Sequence, residues 1–177
     1  SKKIARLQLW TEINNLVDLQ KGVSLCLLSA EAGDVSVQLG LGINPDHIIG
    51  VDIDKHAVAA AQYKFPDVNC TNTDVEKIAD KYSSKLSAVH LDFCACMTRE
   101  LLNKVANISD MIPDPGVISC AFLAAREQGY LRDEIMGASN KHCNTSFGAR
   151  ATVLAHQLAL GSKHSKILIP HKFFYYT

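Results

Sequence analysis

Residues 23–37, VSLCLLSAEAGDVSV, decide the fold. Val23–Leu28 is an apolar run of strand length, Ser29–Gly33 is a short turn, and helical sequence follows. A strand running through a tight turn into a helix is the place where α/β proteins hold a cofactor, against the helix N-terminus. Turns of that kind carry two or three glycines, so that the backbone can approach the ligand. Here only Gly33 is present. The stretch therefore predicts the architecture and raises the question of whether the turn still binds.

Outward from this point, strand-like and helix-like segments alternate. Residues 1–21 read as a helix, with Leu9, Ile13 and Leu16 at helical spacing, Val17 widening the stripe, and Gly22 as a stop. After the turn, GDVSVQLGLG is a glycine-weakened helix, and HIIGVDI a second strand. Asp54 suits the cap of a helix with Val58, Ala61 and Phe65 on one face, stopped at Pro66. VNC is a short third strand, and Asp74 suits the cap of a helix carrying Val75, Ile78, Ala79 and Tyr82. LSAVHLDFCA is a fourth strand, followed by a helix with Leu101, Val105 and Ile108. PGVISCAFLA is a fifth strand after a Pro-Gly turn. Residues 126–145 are polar and weakly periodic and read as an irregular loop, then a last helix carries Phe147, Ala151, Leu154 and Leu158. KILIPHKFFYYT closes the chain in strand-like sequence. Strand and helix in alternation predict a mostly parallel sheet with helices on both faces and right-handed crossovers. Near-continuous apolar strands fit a sheet buried on both faces.

The totals agree with a soluble globular protein. The chain has 177 residues, 47% apolar and 20% charged, the size of a single domain over 1–177. No apolar stretch reaches the roughly 18 residues of a membrane span. Six cysteines, without a CxxC pair, read as reduced structural residues and point to the cytoplasm. No metal site is expected. The net charge is zero, but residues 1–125 carry a balance of −4 and residues 126–177 a balance of +4. A basic last third suits an anionic partner such as RNA or DNA.

In parallel sheets ligands bind beyond the carboxyl ends of the strands. Ser29, Glu31 and Gly33 follow the first strand, Asp52 and Ile53 close the second, Asp74 and Val75 follow the third, and Asp92 lies near the end of the fourth. Asp52 stands about 20 residues past the glycine turn, where a carboxylate accepts hydrogen bonds from ribose hydroxyls. Asp54 fits the neighbouring helix cap, which leaves Asp52 for a ligand. Asp92 and His90, two apart on one strand, share a face and are the candidates for a general base. His90 within an apolar strand also reads as a satisfied core histidine. Cys94 has no Pro-Cys element beside it and reads as structural.

GVDID, NTDVEKI and AVHLDFC, each after its strand, together resemble the class I S-adenosylmethionine-dependent methyltransferases over roughly residues 20–177. The resemblance implies a Rossmann-like fold with an antiparallel C-terminal edge strand, placed here on the FFYYT ending. It implies that Asp52 holds the ribose, that Asp74 meets the adenine amino group with a backbone contact from Val75, and that Asp92 faces the methionine end or the substrate as the catalytic candidate. The first turn departs from the family, whose motif is an acid followed by GxGxG: Ser29 and Glu31 stand at glycine positions and only Gly33 remains. The expected function is methyl transfer from S-adenosylmethionine to an unnamed acceptor, with a lean to nucleic acid. The alternative is a non-catalytic module of the same fold, binding S-adenosylmethionine or a protein. A nicotinamide-dependent oxidoreductase fits less well, because GxGxxG is missing.

Overall fold

The computed structural model describes residues 2–123, 131–135 and 153–154. In chain order the elements are α1 (Lys2–Leu16), β1 (Val23–Leu27), α2 (Gly33–Gly40), a 3-10 turn (Pro45–His47), β2 (Ile48–Asp52), α3 (Lys55–Lys64), β3 (Asn69–Asn72), α4 (Val75–Tyr82), β4 (Leu86–Cys96), α5 (Arg99–Met111) and β5 (Val117–Leu123). The strands form one sheet in the order β3-β2-β1-β4-β5. β1 pairs in parallel with β2 and β4, and β2 with β3. This is a Rossmann-like α/β sheet with β1 at its centre. The described sheet contains no antiparallel edge strand, and residues 172–176, where the sequence predicts one, lie outside the described residues.

The central strand explains the layering. Val23 through Cys26 are all buried, which requires cover on both faces of β1. On one face Gln38 of α2 is fully buried and accepts a hydrogen bond from the Ser24 hydroxyl, while its amide donates to Cys26 Sγ at 3.7 Å. These bonds satisfy the polar groups on that face and fasten α2 to β1. The caps read from the sequence are present: Asp54 accepts from the His56 amide at 2.8 Å and Asp74 from the Glu76 amide at 2.9 Å.

Among the described residues the chain divides into two compact units. One comprises residues 2–92 and 111–120 and holds the main core, in which Trp10, Ile13, Val17, Val35, Ile48 and Ala61 pack together. The α1 stripe differs from expectation: Trp10, Ile13 and Val17 are buried, whereas Leu16 is 48% exposed. An i, i+3, i+7 row through Trp10 faces the sheet, and Leu16 stands off that row. The other unit comprises residues 93–110, 121–123, 131–135 and 153–154. Its core is Met97, Leu102, Leu131, Ile135 and Val153, with Phe93 stacked on Phe122 at 5.4 Å. Residues 131–135 are helical, and the rest of the stretch 126–145, which the sequence reads as an irregular loop, lies outside the described residues. Leu131 and Ile135 are an i, i+4 apolar pair set among polar residues, and burying both makes one helical turn stable there. The last helix predicted from the sequence is described only at residues 153–154, which are helical.

Candidate functional site

The register sets the carboxyl edge of the sheet. Cys26 stands opposite Gly50 on one side and His90 on the other, and Asp52 stands opposite Asn72. Asp52 and Asp92, each two residues beyond those partners of Cys26, therefore reach the same level on either side of β1. The turn of residues 29–33 leaves β1 between them. The sequence-predicted positions of the first unit thus converge on one edge. β4, however, runs on to Cys96, so Asp92 lies within the strand and not at its end.

The turn makes its bend in an unexpected place. Ala32, not Ser29 or Glu31, adopts the left-handed conformation, with φ 46° and ψ 47°. The Ala32 amide donates to the Ser29 carbonyl at 2.9 Å, closing the turn. An alanine in that region costs about 1–2 kcal/mol, which glycine would avoid. Ser29 and Glu31 are exposed, and the Glu31 carbonyl accepts from Lys64 Nζ at 3.1 Å. Gly33 lacks a side chain for a reason the sequence does not reveal. A Cβ there would lie 2.5 Å from Arg6 Nη1 and 2.9 Å from Arg6 Cζ, so the guanidinium of α1 rests directly on this glycine.

Arg6 belongs to a buried network that the sequence reading missed. Its Nε donates to Asp34 Oδ2 at 3.1 Å, and its Nη2 lies 3.7 Å from Asp92 Oδ2. Trp10 Nε1 donates to the other oxygen, Asp34 Oδ1, at 2.9 Å. Asp34 is a charged side chain that is 6% exposed, tolerable because both oxygens accept hydrogen bonds and one donor is cationic. It also sits in the first turn of α2, where the helix dipole favours an anion. His90 stands on the same face: Nε2 is 3.9 Å from Asp34 Oδ1, Nδ1 is 2.6 Å from Ser119 Oγ, and Trp10 meets the ring edge-on at 6.0 Å. Burial holds the His90 pKa below its ordinary value, Arg6 adds to that, and the Asp34 and Asp92 carboxylates oppose it. His90 is thus a satisfied core histidine with charged neighbours. The one available signal was an acid directly after the turn glycine, together with the chain's single tryptophan.

On the other side of β1 the edge is preorganised. Asp52 Oδ1 accepts from the Asp54 amide at 2.8 Å, so Asp52 is partly engaged, whereas the sequence leaves it free for a ligand. Its Oδ2 has no partner among the described residues. Asn72 Nδ2 donates to the carbonyls of Asp52 and Ile53 at 3.0 and 2.9 Å, and the Thr73 amide donates to the Asp52 carbonyl at 3.1 Å. Ile53 is 78% exposed at the tip of this loop, a large apolar side chain held out by a fixed backbone. Asp74 caps α4, and Val75 is buried beneath it. On the far side Asp92 is 37% exposed, and its ion pair is longer than a hydrogen bond, so its oxygens can still accept one from a ligand.

The remaining candidates sort simply. The five described cysteines are free, and burial raises the Cys26 thiol well above its ordinary pKa, which makes it inert. Cys94 is exposed in the second unit. No cluster of metal-ligating side chains occurs among the described residues, and no helix among them is long and apolar enough to cross a membrane. The basic residues of the last third lie outside the described residues, except Arg132. No protein-family model matches the chain, and no curated protein matches it in sequence.

Proposed function

We propose that the chain binds S-adenosylmethionine at the carboxyl edge of its parallel sheet and acts as a methyltransferase. The observation that carries this reading is Asp52. It is a carboxylate at the end of the strand next to the central one, with its backbone fixed by Asn72 and Thr73, one oxygen unengaged among the described residues, and an exposed apolar neighbour. A carboxylate so placed accepts hydrogen bonds from a ribose diol, and Ile53 offers an apolar surface for a base. Asp74 and Val75 lie where the edge of that base would end. Ser29, Glu31 and Gly33 border the other end of the cofactor, with Arg6 and Asp92 opposite.

A nucleoside fits the side of Asp52. At the other end Arg6 already occupies the bare face of Gly33, so a ligand there meets a guanidinium first. When bound, the cofactor supplies a methyl group on a sulfonium, and positioning the acceptor in line with it provides much of the rate. Asp92 is the residue of this edge that can accept a proton or a hydrogen bond from an acceptor. A nucleic acid acceptor is favoured by the basic balance of residues 126–177, and a cytoplasmic setting by the free thiols.

The second reading is a non-catalytic module of the same fold. It is favoured by the packing of Arg6 on Gly33 and by the strained Ala32, which replace an open glycine turn. Calorimetric titration with S-adenosylmethionine, with its demethylated product and with NAD tests the proposal. Binding of the first two and not of NAD is expected. Absence of binding to S-adenosylmethionine overturns the methyltransferase reading and leaves the module.

A further inference from the structure

We propose that α1 is a proton-sensitive cover on the sheet, with His90 as its trigger and the carboxyl edge at Gly33 as what it uncovers. The inference is independent of what that edge binds. It starts from where the polar contacts of α1 meet. Trp10 and Arg6 both reach Asp34, and Arg6 reaches on to Asp92, so these contacts converge on two carboxylates. His90 lies beneath them. Among the described residues it is faced by Trp10 and Arg6 from α1, Asp34 from α2, Asp92 from its own strand and Ser119 from β5.

Charging His90 in place leaves its proton without a good acceptor. Asp34 Oδ1 is 3.9 Å from Nε2, beyond hydrogen-bond length, and the Asp34 carboxylate is held in place by Trp10 and Arg6. A second cation here would also face the Arg6 guanidinium. The imidazolium therefore needs water, and Trp10, fully buried, is the ring that stands in the way. β4 and the other strands are held by a ladder of backbone hydrogen bonds, whereas α1 lies on the sheet and on α2 through side chains. α1 is the part that gives. Its departure hydrates His90, frees Asp34 and Asp92, and lifts Arg6 from Gly33 in one movement.

The magnitude follows from linkage. The closed state excludes a proton that the open state binds with the ordinary histidine value of about 6.5. The open population then rises by up to about tenfold per pH unit below that value. Trp10 is the only tryptophan, so its emission reports this contact without labels. On the 177-residue chain, two signals are followed from pH 8 to pH 5: Trp10 emission, and amide hydrogen exchange corrected for intrinsic rates. The expected result is emission that dims and shifts to the red with acid, and protection in Lys2–Leu16 that falls by up to about tenfold per pH unit and stays below that of β1 and β2 throughout. His90→Gln removes the dependence. In the parent chain the His90 ring-proton NMR shift must move with the same midpoint as Trp10, which keeps the test decisive even if the variant does not fold. Three results overturn the proposal: emission that does not respond to pH, a His90 midpoint different from that of Trp10, or α1 as strongly protected as β1 and β2 below pH 6.5.

Discussion

Replacing Asp34 with asparagine isolates what the buried carboxylate contributes. The two side chains are nearly the same shape, and the amide oxygen of the variant can still accept from Trp10 Nε1, which in the parent lies 2.9 Å from Asp34 Oδ1. The other position becomes an NH2 group facing Arg6 Nε, donor against donor, where the parent has a charge-assisted bond of 3.1 Å. A hydrogen bond to a charged group contributes about 1.5–3 kcal/mol. Removing one partner of a fully buried pair costs about 3–5 kcal/mol. Arg6 is 14% exposed and has Asp92 at 3.7 Å as a substitute, so the cost falls in the upper part of the first range, at about 2–3 kcal/mol. For a chain of this size that corresponds to a drop in Tm of roughly 4–12 °C. The assay is urea unfolding followed by Trp10 fluorescence at pH 7.5, which reads the unit that contains Asp34. Arg6→Met and the double variant complete a cycle, and a coupling of at least about 1 kcal/mol is expected between groups in direct contact. A loss under about 0.5 kcal/mol for Asp34→Asn, or an additive cycle, would refute the reasoning.

The pH dependence of stability follows from His90. Burial holds its pKa down in the folded chain, so the unfolded chain takes up the proton first. Stability is therefore full above about pH 6.5 and is lost as the pH falls below it, by at most about 1.4 kcal/mol per unit, and His90→Gln should flatten a urea-midpoint profile in that window. Asp52→Ala should weaken S-adenosylmethionine binding by about 1.5–3 kcal/mol in calorimetric titration, and unchanged affinity with an intact circular dichroism spectrum removes Asp52 from the site. Glu31→Gly should leave binding unharmed or strengthen it, since Glu31 is exposed and carries no backbone strain to relieve; lost binding makes Glu31 a ligand contact. Short RNA and DNA should bind the chain with a log–log salt slope of about −0.7 to −0.9 per phosphate contact. A Lys141→Ala, Arg150→Ala, Lys166→Ala variant should show a shallower slope, and no binding at low salt removes nucleic acid as the partner.

Much of the first unit was legible in the sequence because its signals are local. Strands buried on both faces read as apolar runs, and β1, β2 and β4 fell within a residue or two of their expected places. Asp54 and Asp74 cap their helices because an acid just before an apolar-periodic run satisfies amides two residues on. Position along the strands also placed Asp52, Asp74 and Asp92 at one edge. Other features were weaker in sequence. Periodicity runs the α1 stripe through Leu16, because spacing alone cannot tell which side of a broad apolar face meets the sheet. The Leu131–Ile135 turn was hidden by polar neighbours.

What the sequence by itself determined is the alternation of strand and helix, and with it a parallel sheet whose carboxyl edge carries acids at fixed offsets. Those features are written in residues a few positions apart. Only the tertiary structure decided that Gly33 serves Arg6, that Ala32 makes the bend, and that Trp10, Asp34, His90 and Ser119 meet beneath α1. The hydrogen bonds joining them span 24 to 29 positions of chain, and no periodicity links residues so far apart. They exist because packing α1 against α2 and the sheet brings a cation and an indole N–H over a carboxylate that, once buried, must be hydrogen-bonded.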